Sequence, residues 1–524
     1  MKRVLVTEPL SPEGVALLQT ACEVDICLNP SPEALRDMIG AYEALIVRSS
    51  TPVTAEVLER AERLVVIARA GTGVDNIDLE AATRRGILVV NAPTSNTVAV
   101  AEHTLALMLA LARHIPKADA LMHAGHWEKK GLMGTELRDK VLGLVGLGRV
   151  GTAVASRARG FEMRVIAHDP FVAPEWAQRL NVELVSLERL LAEADYVSLH
   201  VPSTERTRGM IGARELAQMK RTAYLINCAR GDLIVEADLI QALRQGLIAG
   251  AALDVFPDEP RLNPDLLACP NVVLTPHLGA STQEAQSGAA LQVAQQVLDV
   301  LSGRQPRYPV NITALSAEEM AFLRPYLDLG TQMGRFYAQY AENNLTHLEI
   351  VYAGDVEEHN TQLITAAVLM GILGESGEEA VNLVNARLVA AERGLVIREA
   401  RTSEAQGFSG LITLIAHTTS REHLLSGTVM RGQPHLVRIG DYWLDFVLRG
   451  HLLVSEHIEQ PGIIGQMGLL LGSAGINISF VQVGRQERGG PGLMVTGLDD
   501  PLSAEVMARI MAMPSIRRAA YVRL

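Results

Sequence analysis

The sequence predicts an α/β fold in which two doubly wound parallel-sheet lobes precede two smaller α+β domains. In the N-terminal half, short β-branched runs alternate with helix-like stretches, and a glycine fingerprint lies between a strand and a helix. The segment from His451 to the end follows a strand-helix-strand-strand-helix-strand order. A chain of 524 residues is long enough for three or four domains with cores of their own.

Composition excludes several classes of protein. The net charge is −12, with 47 basic against 59 acidic residues and no block of Lys or Arg, so nucleic acid is not an expected partner. An anionic substrate must then be held by individually placed cations. Four cysteines without a CxxC pair indicate neither a disulfide framework nor a metal site, and they favour a reducing cytoplasm. Apolar runs of about 18 residues are absent, so no membrane span is expected.

The first two lobes follow from strand and helix patterns. A long apolar helix is predicted over 95–115, ending at Pro116, which cannot continue a helix. A helix over 281–303 closes the second lobe, and 304–313 has the prolines of a linker. The expected strands are 3–7, 44–48, 64–68 and 87–90 in the first lobe, and 141–145, 164–167, 196–199, 223–227, 249–253 and 272–274 in the second.

The C-terminal half predicts two further domains. Amphipathic helix 317–342, strand 346–356 and helices 361–375 and 380–394 indicate a mixed α+β domain. From His451 onward the βαββαβ order is that of a ferredoxin-like domain.

The glycine fingerprint predicts a dinucleotide site. Gly146, Gly148 and Gly151 follow a strand directly and open a helix, whose N-terminus offers free N–H groups to a pyrophosphate. Asp169, at the end of the next strand, can accept from both ribose hydroxyls and repels a 2′-phosphate, which favours NAD over NADP. Three glycines alone would indicate only a tight turn, but this context favours the cofactor.

Charged residues at later strand ends predict catalysis. Arg230, Asp254, Glu259 and His277 follow successive strands, and ligands of open α/β sheets lie at the carboxyl ends of strands. His277 can act as the base for an alcohol proton, Arg230 can hold a carboxylate, and Glu259 can orient His277. Taken singly, the same residues are also compatible with a loop histidine, a surface ion pair and a solvated turn residue.

The motifs together resemble a known family. GLGRVG, HDP, NCARGDLIVE, ALDVFPDEP and PHLGAST, in this order, resemble the D-isomer-specific 2-hydroxyacid dehydrogenases, and the resemblance covers essentially the whole chain. It implies a catalytic set of Arg230, Glu259 and His277. It also implies a cofactor cleft that adds the residues Thr72, Arg149, Val150, Val201, Cys228, Asp254 and Gly279 to the fingerprint and Asp169.

RAGTGVDNID, NAPTSNTVAVAEHT and HWEKK are similar to the members of that family that oxidise 3-phospho-D-glycerate, the first step of L-serine biosynthesis. A 3-phosphate requires further cations, for which the candidates are Arg48, Arg69 and Lys129, with Asn96 as a hydrogen-bond donor. Solvated surface arginines are the alternative interpretation.

The resemblance also implies the domain organisation. The nucleotide lobe is inserted into the substrate lobe, and an intervening regulatory domain and an ACT domain follow, although Arg387 stands where a proline is usual in the intervening domain's signature. The expected boundaries are 1–97 and 281–309 for the substrate lobe, 98–280 for the NAD lobe, 310–450 for the intervening domain and 451–524 for the ACT domain.

By the same resemblance we expect a homotetramer and an allosteric site for L-serine. Gly462 precedes a helix whose N–H groups can bind a carboxylate, and Asn477 can complete the site across a dimer interface. Glu459 stands where an aspartate is usual, and His457 occupies a neighbouring position. A purely structural role of this domain in assembly is the alternative.

Two other functions are compatible with the motifs. One is a different D-2-hydroxyacid dehydrogenase, such as a glyoxylate or hydroxypyruvate reductase. The other is a non-catalytic, NAD-sensing protein that resembles the dehydrogenase-like corepressors, which the C-terminal domains argue against.

Overall fold

The computed structural model describes residues 1–341, 344–374, 380–419 and 421–524. Four sheets organise these residues, and they follow one another along the chain. The first two are fully parallel, whereas the last two are mostly or entirely antiparallel.

The first sheet has five parallel strands in the order β2-β1-β3-β4-β5, a flavodoxin-like arrangement. Strand β2 was not predicted, because this edge strand buries only Cys22 and carries charged residues between its apolar ones. The elements are β1 Lys2–Val6, α1 Pro12–Gln19, β2 Cys22–Ile26, α2 Pro32–Met38, β3 Ala44–Val47, α3 Ala55–Glu59, β4 Val66–Arg69, α4 Leu79–Arg84 and β5 Leu88–Asn91.

Two helices connect the first sheet to the second. Helix α5 spans Thr97–Ala112 and α6 spans Ile115–His123. The prediction of one helix ending at Pro116 was wrong, because His114 turns the chain with φ +51° and Pro116 lies in the first turn of α6, where a missing N–H costs nothing. Within the described ranges, no single helix is long and apolar enough to cross a membrane, although α5 and α6 together, bent by 65°, meet that criterion by length and composition.

The second sheet has seven parallel strands in the order β12-β11-β10-β9-β6-β7-β8. The order reverses between β6 and β9, so the crevice at their carboxyl ends is a topological switch point. The elements are β6 Val141–Val145, α7 Arg149–Ala158, β7 Arg164–His168, α8 Pro174–Arg179, β8 Glu183–Leu184, α9 Leu187–Glu193, β9 Tyr196–Leu199, α10 Ala213–Gln218, β10 Tyr224–Asn227, α11 Glu236–Gln245, β11 Gly250–Leu253, α12 Pro264–Leu267 and β12 Val272–Leu274.

Helix α13, Gln283–Leu301, returns the chain to the first sheet. It packs against α1, β4 and β5, and its residues Ala289, Val293 and Val297 are buried in the core of that lobe. Pro309 then forms an antiparallel bridge with Val90.

The third unit is a six-stranded sheet in the order β14-β13-β15-β16-β17-β18, covered by three helices. The helix expected over 380–394 begins only at Ala386, because Asn382 and Asn385 exchange side-chain and backbone hydrogen bonds that form a turn instead. The elements are α14 Ala317–Tyr340, β13 Leu345–Gly354, α15 Gln362–Leu373, α16 Ala386–Glu392, β14 Val396–Thr402, β15 Gly410–Thr418, β16 Glu422–Met430, β17 Gln433–Ile439 and β18 Tyr442–Val447.

The C-terminal unit confirms the predicted βαββαβ order. Its four antiparallel strands are arranged β20-β21-β19-β22, as in ferredoxin-like domains, with both helices packed on one face of the sheet. The elements are β19 His451–Ile458, α17 Ile463–Ser473, β20 Ile478–Arg485, β21 Pro491–Leu498, α18 Ala504–Met511 and β22 Ile516–Arg523.

Candidate active site

The glycine fingerprint forms the turn between β6 and α7. Gly146 has a φ of +98°, and a Cβ on Gly151 would clash with the carbonyl oxygen of Gly146, so both positions require glycine. A Cβ on Gly148 would instead meet only open space. Gly148 therefore leaves room for a ligand beside the free N–H groups at the start of α7.

The residues around this turn fit the adenosine half of NAD. Asp169 follows β7 and accepts hydrogen bonds from the N–H groups of Leu147 and Phe171, both at 2.9 Å, which fixes its carboxylate beside the fingerprint. Val201 follows β9, and its Cγ1 would lie 2.9 Å from a Cβ at Gly146. Two further predicted residues, Arg149 and Val150, lie in the first turn of α7.

The far end of the cleft contains two other predicted cofactor residues, Cys228 and Thr72. Cys228 directly follows β10, and burial raises the pKa of its thiol to about 12, so the thiol stays neutral. Thr72 lies across the cleft and donates a hydrogen bond to Oδ1 of Asn96 at 3.0 Å. This bond joins the loop after β4 to the start of α5.

The structure brings the predicted base and its carboxylate together. Nδ1 of His277, after β12, lies 2.8 Å from Oε2 of Glu259, after β11. The N–H of Phe256 donates to Oε1 of Glu259 at 2.9 Å and so holds the carboxylate. An Nδ1–H donated to Glu259 leaves Nε2 as the acceptor, and the imidazole side chain is 50% exposed and open to a substrate.

Arg230 reaches across the cleft from the end of β10. Its Nε lies 3.2 Å from Oδ2 of Asp75 in the first lobe, and its guanidinium fills the space beside Gly73. The same guanidinium donates to the carbonyl of Ala229 at 2.7 Å. Arg230 therefore lies between the two lobes, where a bound carboxylate would meet it.

A cluster of three arginines lies at this point. Burial lowers the pKa of Arg69, and the positive charges of Arg230 and Arg48 lower it further. The buried Nε of Arg69 finds no hydrogen-bond partner among the described residues. Such a cluster of incompletely paired cations is suited to an anion with more than one negative charge.

Glu8, which was not predicted, shapes the loop that carries Arg48. Its buried carboxylate accepts from the N–H groups of Arg48, Ser50 and Thr51 at 2.8 to 3.1 Å. Although burial opposes ionisation, these hydrogen bonds hold the pKa of Glu8 below its usual value. The fourth predicted substrate residue, Lys129, lies on an exposed loop after α6, and no hydrogen bond or ion pair joins it to Arg48 or Arg69 within the described ranges.

His103 and Thr275 were also missed. Both contact Asp254, which has 1% of its surface exposed and was expected to bind the cofactor. Burial opposes ionisation of Asp254, but its hydrogen bonds keep its pKa below the usual value. The position of His103 on the mostly apolar helix α5 was the available signal in the sequence.

Three of the four predicted effector residues are engaged or buried within this chain. Glu459 forms an ion pair with Arg485 and accepts from the N–H of Gly489 at 2.7 Å. Asn477 donates to Asp499 at 2.5 Å. Gly462 has a φ of +93° and begins α17, whereas His457 is buried with both ring nitrogens unpaired among the described residues.

The fold and the site define an NAD-dependent dehydrogenase of the 2-hydroxyacid class. A family model described as "D-isomer specific 2-hydroxyacid dehydrogenase, NAD binding domain" matches residues 105–279, and one described as "D-3-phosphoglycerate dehydrogenase intervening domain" matches residues 322–440. The D-3-phosphoglycerate dehydrogenase of Methanocaldococcus jannaschii is 41% identical over 525 residues that cover 100% of both chains. The chain therefore belongs to the D-3-phosphoglycerate dehydrogenase family.

Solved structures agree with this assignment. A protein of Thermus thermophilus is 41% identical and superposes with a TM-score of 0.55, covering 59% of this chain and 99% of that one. A D-lactate dehydrogenase of Aquifex aeolicus, solved with NAD and lactic acid, is 28% identical with a TM-score of 0.52, covering 58% and 96%. The comparisons confirm the predicted fold class, enzyme class and NAD cofactor.

Proposed function

We propose that the chain oxidises the C2 hydroxyl of 3-phospho-D-glycerate to the ketone of 3-phosphohydroxypyruvate, the first step of L-serine biosynthesis. The observation that carries the proposal is the His277–Glu259 pair, which follows strands next to the one that precedes Arg230, together with the positive charges of Arg230 and Arg48 around Arg69. A base, a carboxylate ligand and additional positive charge are the groups that oxidation of a phosphorylated hydroxy acid requires.

His277 takes the proton of the C2 hydroxyl at Nε2. Glu259 accepts from Nδ1, so it fixes the tautomer and stabilises the imidazolium as it forms. Because Phe256 holds the other oxygen of Glu259, the pair is oriented before substrate binds. Such general-base catalysis contributes about 10²–10⁴-fold to rate.

Arg230 grips the substrate carboxylate in a bidentate fork. Arg69 and Arg48 take the phosphate, which places the charged ends of the substrate on opposite sides of C2. Glu8 supports this assignment because it fixes the backbone that presents Arg48. The same arrangement disfavours uncharged analogues, which leave the Nε of Arg69 buried and unpaired.

NAD, when bound, supplies the hydride acceptor. The turn of Gly146, Gly148 and Gly151 and the N-terminus of α7 would hold its pyrophosphate, and Asp169 would accept from the ribose hydroxyls. Thr72, Val201, Cys228 and Gly279 would line the remainder of the cleft. The neutral thiol of Cys228 keeps this part of the cleft free of added charge.

The test is a turnover assay of the purified full chain. Production of NADH from 3-phospho-D-glycerate and NAD, at a kcat/KM well above that for D-glycerate, is expected. A higher kcat/KM with glyoxylate or hydroxypyruvate would show that the chain is a reductase of the same fold. NADH binding without turnover of any of these acids would support a sensor.

Assembly and regulation belong to the same proposal. We infer a homotetramer, supported by exposed apolar side chains on and after α6, namely Ile115, Met122, Trp127 and Met133. L-Serine is the proposed inhibitor at the C-terminal domain, where Gly462 begins α17. The four free cysteines support a cytoplasmic location.

A further inference from the structure

Asp254, at the end of β11, organises the catalytic loop from inside the protein. Its Oδ1 accepts from the hydroxyl of Thr275 at 2.5 Å and from the N–H of Leu278 at 2.7 Å. Its Oδ2 accepts from the N–H of Gly279 at 2.8 Å. Nε2 of His103 lies 3.2 Å from Oδ1. Both oxygens of this buried carboxylate are therefore engaged by the protein itself.

The contacts determine which ring nitrogen of His103 carries a proton. The hydroxyl of Thr275 has a single proton, which it donates to Asp254. The hydroxyl oxygen of Thr275 also lies 3.1 Å from Nε2 of His103, so in this contact the imidazole must be the donor. An ionised Asp254 can likewise only accept a hydrogen bond. The Nε2–H of His103 is consequently shared between Thr275 and Asp254.

The carboxylate acts on the backbone next to the proposed base. Leu278 and Gly279, whose N–H groups bind Asp254, directly follow His277. His277 has a φ of +55°, a left-handed conformation that is uncommon for residues other than glycine. The hydrogen bonds from Leu278 and Gly279 to Asp254 hold the loop in this conformation.

We propose that His103 is a positioning residue for His277, acting through Asp254. Helix α5 carries His103 to the cleft, His103 and Thr275 fix the carboxylate, and the carboxylate fixes the loop that presents the imidazole to Glu259. The inference rests on the proposed function, in which His277 is the base. It gives Asp254 a role in loop geometry in addition to the predicted role in the cofactor cleft, since Oδ2 accepts from Gly279 alone and can take a second hydrogen bond.

A matched pair of variants tests whether the Nε2–H of His103 is the required donor. The side-chain amide of glutamine can place an N–H near the Nε2 position of histidine, whereas the shorter asparagine places it near Nδ1. His103→Asn should lower kcat about tenfold to a hundredfold at saturating substrates, since small misplacements of a catalytic group have effects of this size. His103→Gln should stay within about threefold of the wild type, and the affinity for NADH, measured by fluorescence, should change little in both variants.

Thr275→Val adds an independent test on the same carboxylate. It should also lower kcat. The fold-loss of kcat in the double variant with His103→Asn should be smaller than the product of the two single fold-losses, because both residues act through Asp254. Equal kcat for His103→Asn and the wild type would overturn the inference, as would equal loss in the Gln and Asn variants. A loss confined to NADH affinity would reassign His103 to the cofactor site.

The failure of this inference is distinguishable from failure of the proposed function. If the wild type does not oxidise 3-phospho-D-glycerate, the function is wrong, whatever the variants show. If the wild type turns over and His277→Ala does not, while His103→Asn behaves as wild type, the function stands and the positioning role of His103 is wrong.

Discussion

At the scale of single residues, the proposed site combines a base with a cluster of arginines. His277 and Glu259 follow neighbouring strands β12 and β11, and Arg230 follows β10. Their proximity results from sheet order, because parallel neighbours deliver their carboxyl ends to one edge.

Removal of the imidazole tests the base. His277→Ala should lower kcat with 3-phospho-D-glycerate by about 10²–10⁴-fold, because the C2 hydroxyl loses its proton acceptor. NADH should still bind, since the fingerprint and Asp169 are untouched, and fluorescence titration measures this. Turnover near the wild-type value would show that another group takes the proton.

Removal of a cluster cation tests phosphate recognition. Arg69→Ala should lower kcat/KM for 3-phospho-D-glycerate by about 10–100-fold, the value of a hydrogen bond to a charged group. The kcat/KM for D-glycerate, which lacks the phosphate, should change much less. Arg36→Ala, on the exposed helix α2, is the control and should leave both values unchanged. An equal loss for both substrates would make Arg69 structural.

At the scale of elements, two glycines in the turn from β6 to α7 have different roles. Gly148 faces open space, whereas Gly151 packs against the carbonyl oxygen of Gly146. The first therefore leaves room for the cofactor, and the second permits the turn itself. Sequence alone treats all three glycines of the fingerprint alike.

Alanine at each position separates these roles. Gly148→Ala should leave the thermal midpoint of unfolding within a few degrees of wild type while weakening NADH binding at least about tenfold, because the methyl group occupies cofactor space. Gly151→Ala should lower the midpoint as well, since its methyl group meets backbone. Calorimetry and fluorescence titration measure the two effects, and equal stability of both variants would contradict the assignment.

His200, which directly follows strand β9, links stability to pH. Burial lowers the pKa of His200 to about 4, and its Nε2 lies 2.9 Å from the hydroxyl of Ser198. Between the ordinary histidine pKa of about 6.5 and pH 4, the unfolded chain binds a proton that the folded chain does not. The contribution of His200 to the free energy of unfolding is therefore constant above this window and falls as the pH drops through it.

His200→Gln should flatten this pH dependence. The loss of stability between pH 6.5 and 4 should shrink by about 3 kcal/mol relative to the wild type, because glutamine does not titrate. Its amide can keep the contact with Ser198. Denaturant unfolding at a series of pH values measures the change, and parallel curves for both proteins would show that His200 titrates normally.

At the scale of the whole molecule, direct contacts connect the C-terminal units to the substrate side of the cleft. Asn382 donates to the carbonyl of Gly86 at 2.8 Å, and Arg84 pairs with Glu392 at 3.1 Å, which joins the third unit to the first lobe. Gln339 in turn donates to the carbonyl of Arg523 at 3.0 Å. A continuous route of packed elements thus exists from β22 to α4.

Serine inhibition tests whether this route carries regulation. L-Serine should lower turnover of the full chain, and Asn477→Ala should raise the inhibitory concentration about tenfold, since the proposed site loses a polar group. Ser479 is exposed on the adjoining strand β20, and Ser479→Ala should leave the inhibitory concentration unchanged. Inhibition that is absent in the wild type, or unchanged in Asn477→Ala, would leave the C-terminal domain a module for assembly.

Errors in the sequence-based predictions fall where local patterns compete with tertiary contacts. The edge strand β2 escaped notice because one face alone is partly buried. The helix expected from 380 begins late, because Asn382 and Asn385 bind each other and the first lobe. The ion pair of Glu459 with Arg485 and the hydrogen bond of Asn477 to Asp499 are likewise tertiary contacts that no local pattern shows.

The sequence by itself determined the fold class, the cofactor and the positions of the proposed base, its carboxylate and Arg230. Periodicity and motif order are local along the chain, so they can be read without coordinates. Only the tertiary structure decided the clustering of Arg48, Arg69 and Arg230, the support from Glu8, and the connection from His103 through Asp254 to His277. Those relations join residues far apart in sequence, and they exist only once packing has desolvated a charge and brought its partners within hydrogen-bond distance.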